Sequence, residues 1–189
     1  MKRLSRASTA IAGLLFFVAA GGASAGENIT PGLAAGGVPL TADVATVGRL
    51  LGEPTDEFLD PTNPRIHIQR WEALCLGARY GPQGGLIALD VWVDPGDSCR
   101  SASSEYGVRG RGGERIDFTS RREDVKRAFG YRPDRVLRGS RFTILVYDAQ
   151  GIAFYIRSTG ERSELVDTIT VFPRQTSGSV WTPGAWGAP

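Results

Sequence analysis

Among the side chains able to carry chemistry, His67 comes first. It is the only histidine in the chain, and an imidazole is the group that most readily exchanges a proton near neutral pH. A general base needs a reacting partner within hydrogen-bond reach. No serine or cysteine stands at a recognisable nucleophile–base spacing, so a hydrolase built on His67 with Glu72 or Asp90 is the lesser expectation. Glu72 and Asp148 invite a carboxylate-pair reading of the kind used on glycosidic bonds. They occupy equivalent positions of an internal repeat, however, each at a strand end before a turn, where acids favour local hydrogen bonds. Asp94, Asp97 and Ser98 lack the ligand spacing of an EF-hand. Arg109-Gly110-Arg111-Gly112-Gly113 has the composition of an RGG segment, and a single instance reads most simply as a flexible linker.

Two thiols and one histidine do not fill a tetrahedral shell at any recognised spacing, so no metal or cofactor is expected. Cys75 and Cys99 are the only cysteines. In an exported chain an even pair reads as a disulfide. The bridge would close a loop of roughly 25 residues and stabilise by about 3 kcal/mol on the chain-entropy model.

Positioning these groups falls to a sequence that repeats itself. WEALCLGARY (71–80) matches YDAQGIAFYI (147–156), with Trp71 over Tyr147, Glu72 over Asp148 and Ala73 over Ala149. Upstream, VGRLLGEPTD (47–56) matches VKRAFGYRPD (125–134), with Gly52 over Gly130. A period near 78 residues exceeds any solenoid unit and indicates two copies of a small module.

The first 25 residues are set apart as a secretory signal: Lys2, Arg3 and Arg6, an apolar run from Ile11 to Ala20, then Ala23-Ser24-Ala25. The run is shorter than the roughly 20 residues needed to span a bilayer, and no cysteine near the cleavage site offers a lipid anchor. A periplasmic or secreted protein without a membrane anchor is therefore expected. Removing this segment takes three positive charges from a formal +2, so charge gives no reason to expect nucleic acid. The remaining charge is unevenly spread. Residues 38–97 hold four arginines against nine acids, and residues 116–174 hold eleven basic residues against eight acids. Two solvated faces of opposite sign are the simpler account; a basic half that meets an acidic partner is the sharper one.

Each copy opens with a short amphipathic helix. Thr41 is the expected cap of the first, with Val44, Val47, Leu50 and Leu51 as its stripe. Ser120 to Glu123 forms a capping box for the second, with Val125, Ala128 and Phe129 as its stripe. Both helices end at glycine, at Gly52 and Gly130. Three strands follow each helix: 66–71, 76–80 and 86–93 in the first copy, 142–148, 152–158 and 165–172 in the second. The expected fold class is thus α+β, two tandem helix-plus-three-strand antiparallel units forming one curved sheet with the helices on one face. The expected divisions are a flexible N-terminus (26–37), repeat 1 (38–94), a linker (95–115), repeat 2 (116–174) and an extended tail (175–189). The tail contains Trp181 and Trp186, and docking of so much apolar surface competes with disorder there.

The αβββ unit with an LGEP helix end (51–54), twice in one exported chain, resembles the tandem fold of the β-lactamase inhibitor protein family. It is also similar to the single-copy SmpA/BamE group of outer-membrane assembly lipoproteins. The resemblance implies a non-enzymatic binding protein with helices on the convex side of a curved sheet. The chain has one cysteine pair where the inhibitor has one per copy, and no lipidation cysteine.

Period-two alternation puts Ile144, Val146, Phe154, Ile156, Ile169 and Val171 on the helix side. It puts Trp71, Arg79, Asp90, Trp92, Tyr147, Tyr155 and Arg157 on the helix-free face, together with His67 and Gln69. Aromatics and arginines dominate binding hot spots. The expected function is therefore protein binding through that face, without a cofactor and without catalysis. The partner is an unidentified protein such as an envelope component, and the oligomeric state is left open. A purely structural envelope component, its sheet face capped by the tail, is the remaining alternative.

Overall fold

The computed structural model describes residues 28–93 and 105–174. The signal segment, the tail (175–189) and Cys99 lie outside the described residues. Three two-residue strands come first, β1 (Ile29–Thr30), β2 (Ala34–Ala35) and β3 (Val38–Pro39). Helix α1 (Val44–Leu51) follows, then β4 (Asp56–Asp60), β5 (Asn63–Trp71), β6 (Leu76–Tyr80) and β7 (Leu86–Trp92). A hairpin of β8 (Val108–Arg109) and β9 (Arg115–Ile116) leads to helix α2 (Arg122–Phe129). The last strands are β10 (Arg135–Arg138), β11 (Phe142–Tyr147), β12 (Ile152–Arg157) and β13 (Val166–Val171).

Strands β4–β7 and β10–β13 form one eight-stranded antiparallel sheet in the order β10-β11-β12-β13-β7-β6-β5-β4. The expectation of an α+β protein with two helix-plus-three-strand units is overturned. The described residues are mostly strand, with two α-helices, and each helix is followed by four strands of the large sheet. The additional strands, β4 (DEFLD) and β10 (RVLR), are the outermost ones. An edge strand needs little apolar surface and is commonly charged to discourage pairing with other chains, so its sequence does not read as a strand.

The sheet order is a palindrome. Two meanders meet where β7 pairs with β13, through Leu89–Val171, Asp90–Thr170 and Val91–Ile169. An approximate two-fold axis therefore passes between Asp90 and Thr170 and makes Arg79 on β6 the counterpart of Tyr155 on β12.

One face carries the main core. Leu76, Ala78, Leu89, Val91, Leu145, Phe154, Ile156, Ile169 and Val171 point to the side where Val47 of α1 and Val125, Ala128 and Phe129 of α2 are buried. The small sheet β1–β3 and the β8–β9 hairpin add Ala35, Val38, Val108 and Ile116 to the same layer. The glycine-rich RGRGG segment is the tip of that hairpin: Gly110 N–H donates to Glu114 O at 2.8 Å, and Arg111 N–H donates to Ala128 O at 2.9 Å. A side chain at Gly110 would collide with Ala128 of α2, so this glycine permits close packing.

The helix caps differ from the expected ones. Asp43, which forms an isolated antiparallel bridge with Gly85, caps α1 by accepting from Thr46 N–H at 2.8 Å. In α2 the N-cap is Arg121, whose N–H donates to Asp124 Oδ2 at 2.9 Å. The glycine ends are as expected, with Gly52 at φ 80° and Gly130 at φ 123°, values an L residue tolerates poorly. Of the first helix's stripe only Val47 is fully buried, while Val44 and Leu50 are exposed. Among the described residues no helix is long and apolar enough to cross a membrane.

Candidate functional site

Directly opposed residues of an antiparallel pair share a face. Register therefore assigns the helix-free side: Gly77, Asp90, Thr170, Ala153 and Val146 form one row across β6, β7, β13, β12 and β11. A second row runs Trp92, Thr168, Tyr155, Ile144 and Leu137. The floor at the centre is made of small residues, and larger side chains stand around it.

A buried polar quartet sits on the two-fold axis. Arg79 grips Asp90 with two donors, Nε to Oδ2 at 2.7 Å and Nη2 to Oδ1 at 3.3 Å. Thr170 Oγ1 donates to Asp90 Oδ1 at 2.5 Å. Arg79 is 1% and Asp90 0% exposed, so the pair is fully desolvated. A charge pair so placed persists only when each partner is well hydrogen-bonded. The buried Tyr155 hydroxyl lies beside Arg79 and Asp90, and burial, with Asp90 adding to it and Arg79 opposing it, raises its ionisation to about 12.

Around the quartet lies a second apolar cluster of Ala88, Val146, Ala153, Tyr155 and Phe172, with Leu137, Phe142 and Ile144 packed against it. Every member belongs to a strand of the large sheet or, for Phe172, to the residue after β13; no described helix or hairpin contributes. At the rim, Arg70 stands over the Trp92 ring at 5.0 Å and Arg157 over the Phe142 ring at 5.5 Å. Trp92, Arg70, Arg157 and Phe142 are all half-buried. Arg157 is also tied to Asp167, at 2.6 Å. Burial raises the Asp167 carboxyl above its usual range, with Arg157 opposing the shift.

Of the seven expected binding residues, five are brought together here: Arg79, Asp90, Trp92, Tyr155 and Arg157. Trp71 and Tyr147 are not. Both point to the helix side and are 3% and 2% exposed. Gln69 is on that side too, accepting from Tyr80 OH at 3.0 Å. The misplacement has a physical reason. Strand β11 is apolar at Leu145 and Tyr147 as well as at Ile144 and Val146, because both its faces are packed, so alternation cannot tell the sides apart. In β5 the same ambiguity hides Ile68 and Arg70, which belong on the helix-free face opposite Arg79 and Gly77.

His67 meets a carboxylate, but not an expected one. Its Nε2 is 2.8 Å from Glu57 Oε1, whereas Asp90 is committed to Arg79 and Glu72 opens an exposed 3-10 turn, Glu72–Leu74. Gln69 Nε2 donates to Glu57 Oε2 at 3.3 Å, and the Tyr80 ring lies 5.8 Å from the imidazole. Asp148 likewise opens a turn, Asp148–Gln150, and is held by two Arg135 bonds of 2.7 and 2.6 Å. Among the described residues no three His, Cys, Asp or Glu side chains are placed to hold a metal ion. Cys75 is buried and not free, while Cys99, Asp94, Asp97, Ser98, Trp181 and Trp186 lie outside the described residues.

No family model matches this chain. No curated protein matches it either. Among solved structures, a DUF4309 family protein (YjgB) from Bacillus subtilis subsp. subtilis str. 168 is similar over 75% of this chain and 88% of its own, at 15% identity and a TM-score of 0.47.

Proposed function

We propose that this chain is an exported, non-enzymatic protein-binding module that contacts its partner at the rim of the helix-free sheet face. The observation that carries the reading is the pair of arginine–aromatic stacks, Arg70 on Trp92 and Arg157 on Phe142, placed on opposite sides of the buried quartet. Arginine and tryptophan are the residues most often found at energetic centres of interfaces, and a stacked guanidinium is already ordered, which lowers the entropic cost of binding. The partner then presents an apolar patch to Trp92, Phe142 and Ile144. Arg79, Asp90 and Thr170, hydrogen-bonded to one another between the two stacks, hold the platform rigid. Export rests on the sequence of residues 1–25.

The test is a crosslinked pull-down from envelope extract with the wild-type protein beside Trp92→Ala/Arg157→Ala. Loss of a captured partner in the variant supports the reading; capture unchanged by the variant defeats it.

A second reading has its own observation, the 2.8 Å contact between His67 and Glu57, which is the geometry of an oriented imidazole base. As a hydrolase, the protein would lose activity in His67→Ala while keeping its fold, and Trp92→Ala/Arg157→Ala would leave turnover intact.

A further inference from the structure

The two edges of the eight-stranded sheet are opposite in charge. On one edge β4 reads Asp56-Glu57-Phe58-Leu59-Asp60, and on the other β10 reads Arg135-Val136-Leu137-Arg138. Each closes its end of the sheet order, so neither has a described strand on its outer side. Both edges expose an aliphatic side chain that a monomer gains nothing by exposing, Leu59 at 57% and Val136 at 45%. These two side chains are on the same side of the sheet: Leu59 opposes His67, whose partner Tyr80 is in the helix-side core, and Val136 opposes the core residue Leu145.

We infer that the chain associates head-to-tail with further copies of itself, β4 of one copy pairing antiparallel with β10 of the next. Strands alternate in direction through the sheet. With eight of them, a following copy in the same orientation presents β10 antiparallel to β4. The register that places Leu59 against Val136 also places Phe58 against Leu137 on the other face and Glu57 against Arg138. Apolar meets apolar, and acid meets base. Glu57 is half exposed beyond its contact with His67, and Arg138 is exposed.

Charge on an edge strand usually prevents such pairing. Here it selects the partner instead: two β4 edges repel, two β10 edges repel, and only the unlike pair attracts. The uneven charge between the halves of the chain therefore acquires a use. The contact is heterologous and does not close on itself, so it leads to open chains of molecules. Sheet twist of roughly 20–25° per strand turns each copy by about half a revolution relative to the last, which alternates the helical layers and keeps them apart. Strands this short bury far less than the roughly 1,600 Å² of a standard interface, so association is weak and depends on concentration and salt.

The test is sedimentation velocity of the purified protein over a wide concentration range at low and high salt. Mass should grow with concentration at low salt and return to the monomer at high salt. Arg138→Glu should hold the protein monomeric, and Glu57→Lys/Arg138→Glu, which exchanges the charges between the edges, should restore association. Trp92→Ala/Arg157→Ala should associate as the wild type does, which separates this surface from the one proposed for the protein partner. A wild-type monomer at every concentration overturns the inference. So does an association indifferent to Arg138→Glu, or a folded exchange variant that remains monomeric.

Discussion

The indole nitrogen of Trp71 donates to the Gly52 carbonyl at 3.1 Å, and its repeat counterpart Tyr147 donates its hydroxyl to the Gly130 carbonyl at 3.0 Å. Each half of the molecule thus ties the end of its helix to the last residue of its second sheet strand. The glycine that terminates a helix leaves carbonyls without an intrahelical partner, and in a buried setting an aromatic donor is an economical way to satisfy one while filling the core. The residues most conspicuous in the repeat are therefore buried on the helix side, where they hold the helix ends.

Tyr147→Phe removes one of these bonds and leaves the ring, which also packs 5.7 Å from Phe129. The expected loss is about 1 kcal/mol, with the buried Gly130 carbonyl adding to it if water cannot reach. Trp71→Phe loses the bond and ring volume together, so its cost is larger, on the order of 2–3 kcal/mol. Urea unfolding of the two variants measures both. Equal and negligible losses would show that the helix ends are held by packing alone.

The buried quartet calls for a double-mutant cycle. Arg79→Met leaves the Asp90 carboxylate in the sheet with Thr170 as its remaining donor in the quartet, and Asp90→Leu leaves a buried guanidinium. Each single change should cost roughly 3–5 kcal/mol, while the double variant should recover most of that, because a buried ion pair is often no better than apolar residues of similar size. Additive losses in denaturant melts would mean that the two side chains do not act as a pair.

Much of this architecture is legible in the sequence. The two short helices, their glycine ends and six of the eight sheet strands follow from periodicity and turn residues. Strands β4 and β10 did not, because edge strands are written in charges and a chain cannot announce from local pattern that it lies at an edge. Face assignment succeeded in β6, β12 and β13, where one side holds Leu76 and Ala78, Phe154 and Ile156, or Ile169 and Val171. It failed in β5 and β11, where a second apolar cluster gives both sides the same character. Glu57, the carboxylate that meets His67, belongs to one of the unread strands, so the ten-residue gap between them carried no signal.

Alkaline pH should unfold the protein through its tyrosines. Burial is the leading cause in each case that pushes Tyr80, Tyr106, Tyr147 and Tyr155 up to about 12, from the ordinary value near 10. The unfolded chain ionises these phenols first, so between about pH 10 and 12 it holds fewer protons than the folded chain and stability falls as pH rises. Each tyrosine contributes about 1.4 kcal/mol per pH unit in that window, and below about pH 10 the contribution is fully retained. Tyrosinate absorbance should therefore rise together with loss of sheet signal in circular dichroism. Ionisation of these four groups in a sheet that stays intact would contradict their burial.

Cys75 and Gly151 occupy the same place in the two halves, each ending a 3-10 turn in the left-handed region, at φ 48° and 71°. Glycine is at ease there and cysteine is strained by roughly 1 kcal/mol, which makes Cys75 a costly residue unless its thiol has a use. A bridge to Cys99 would supply one, of about 3 kcal/mol on the chain-entropy model. Cys75→Gly should accordingly destabilise the oxidised protein and leave the reduced protein unchanged or slightly more stable. At Gly151 no such compensation exists: an added methyl would run into the Phe172 carbonyl and the backbone of Gly32, so Gly151→Ala should be destabilising in either redox state. Thermal melts of both variants with and without reductant decide the matter. Equal losses for Cys75→Gly in both conditions would mean that Cys75 contributes through packing and not through a disulfide.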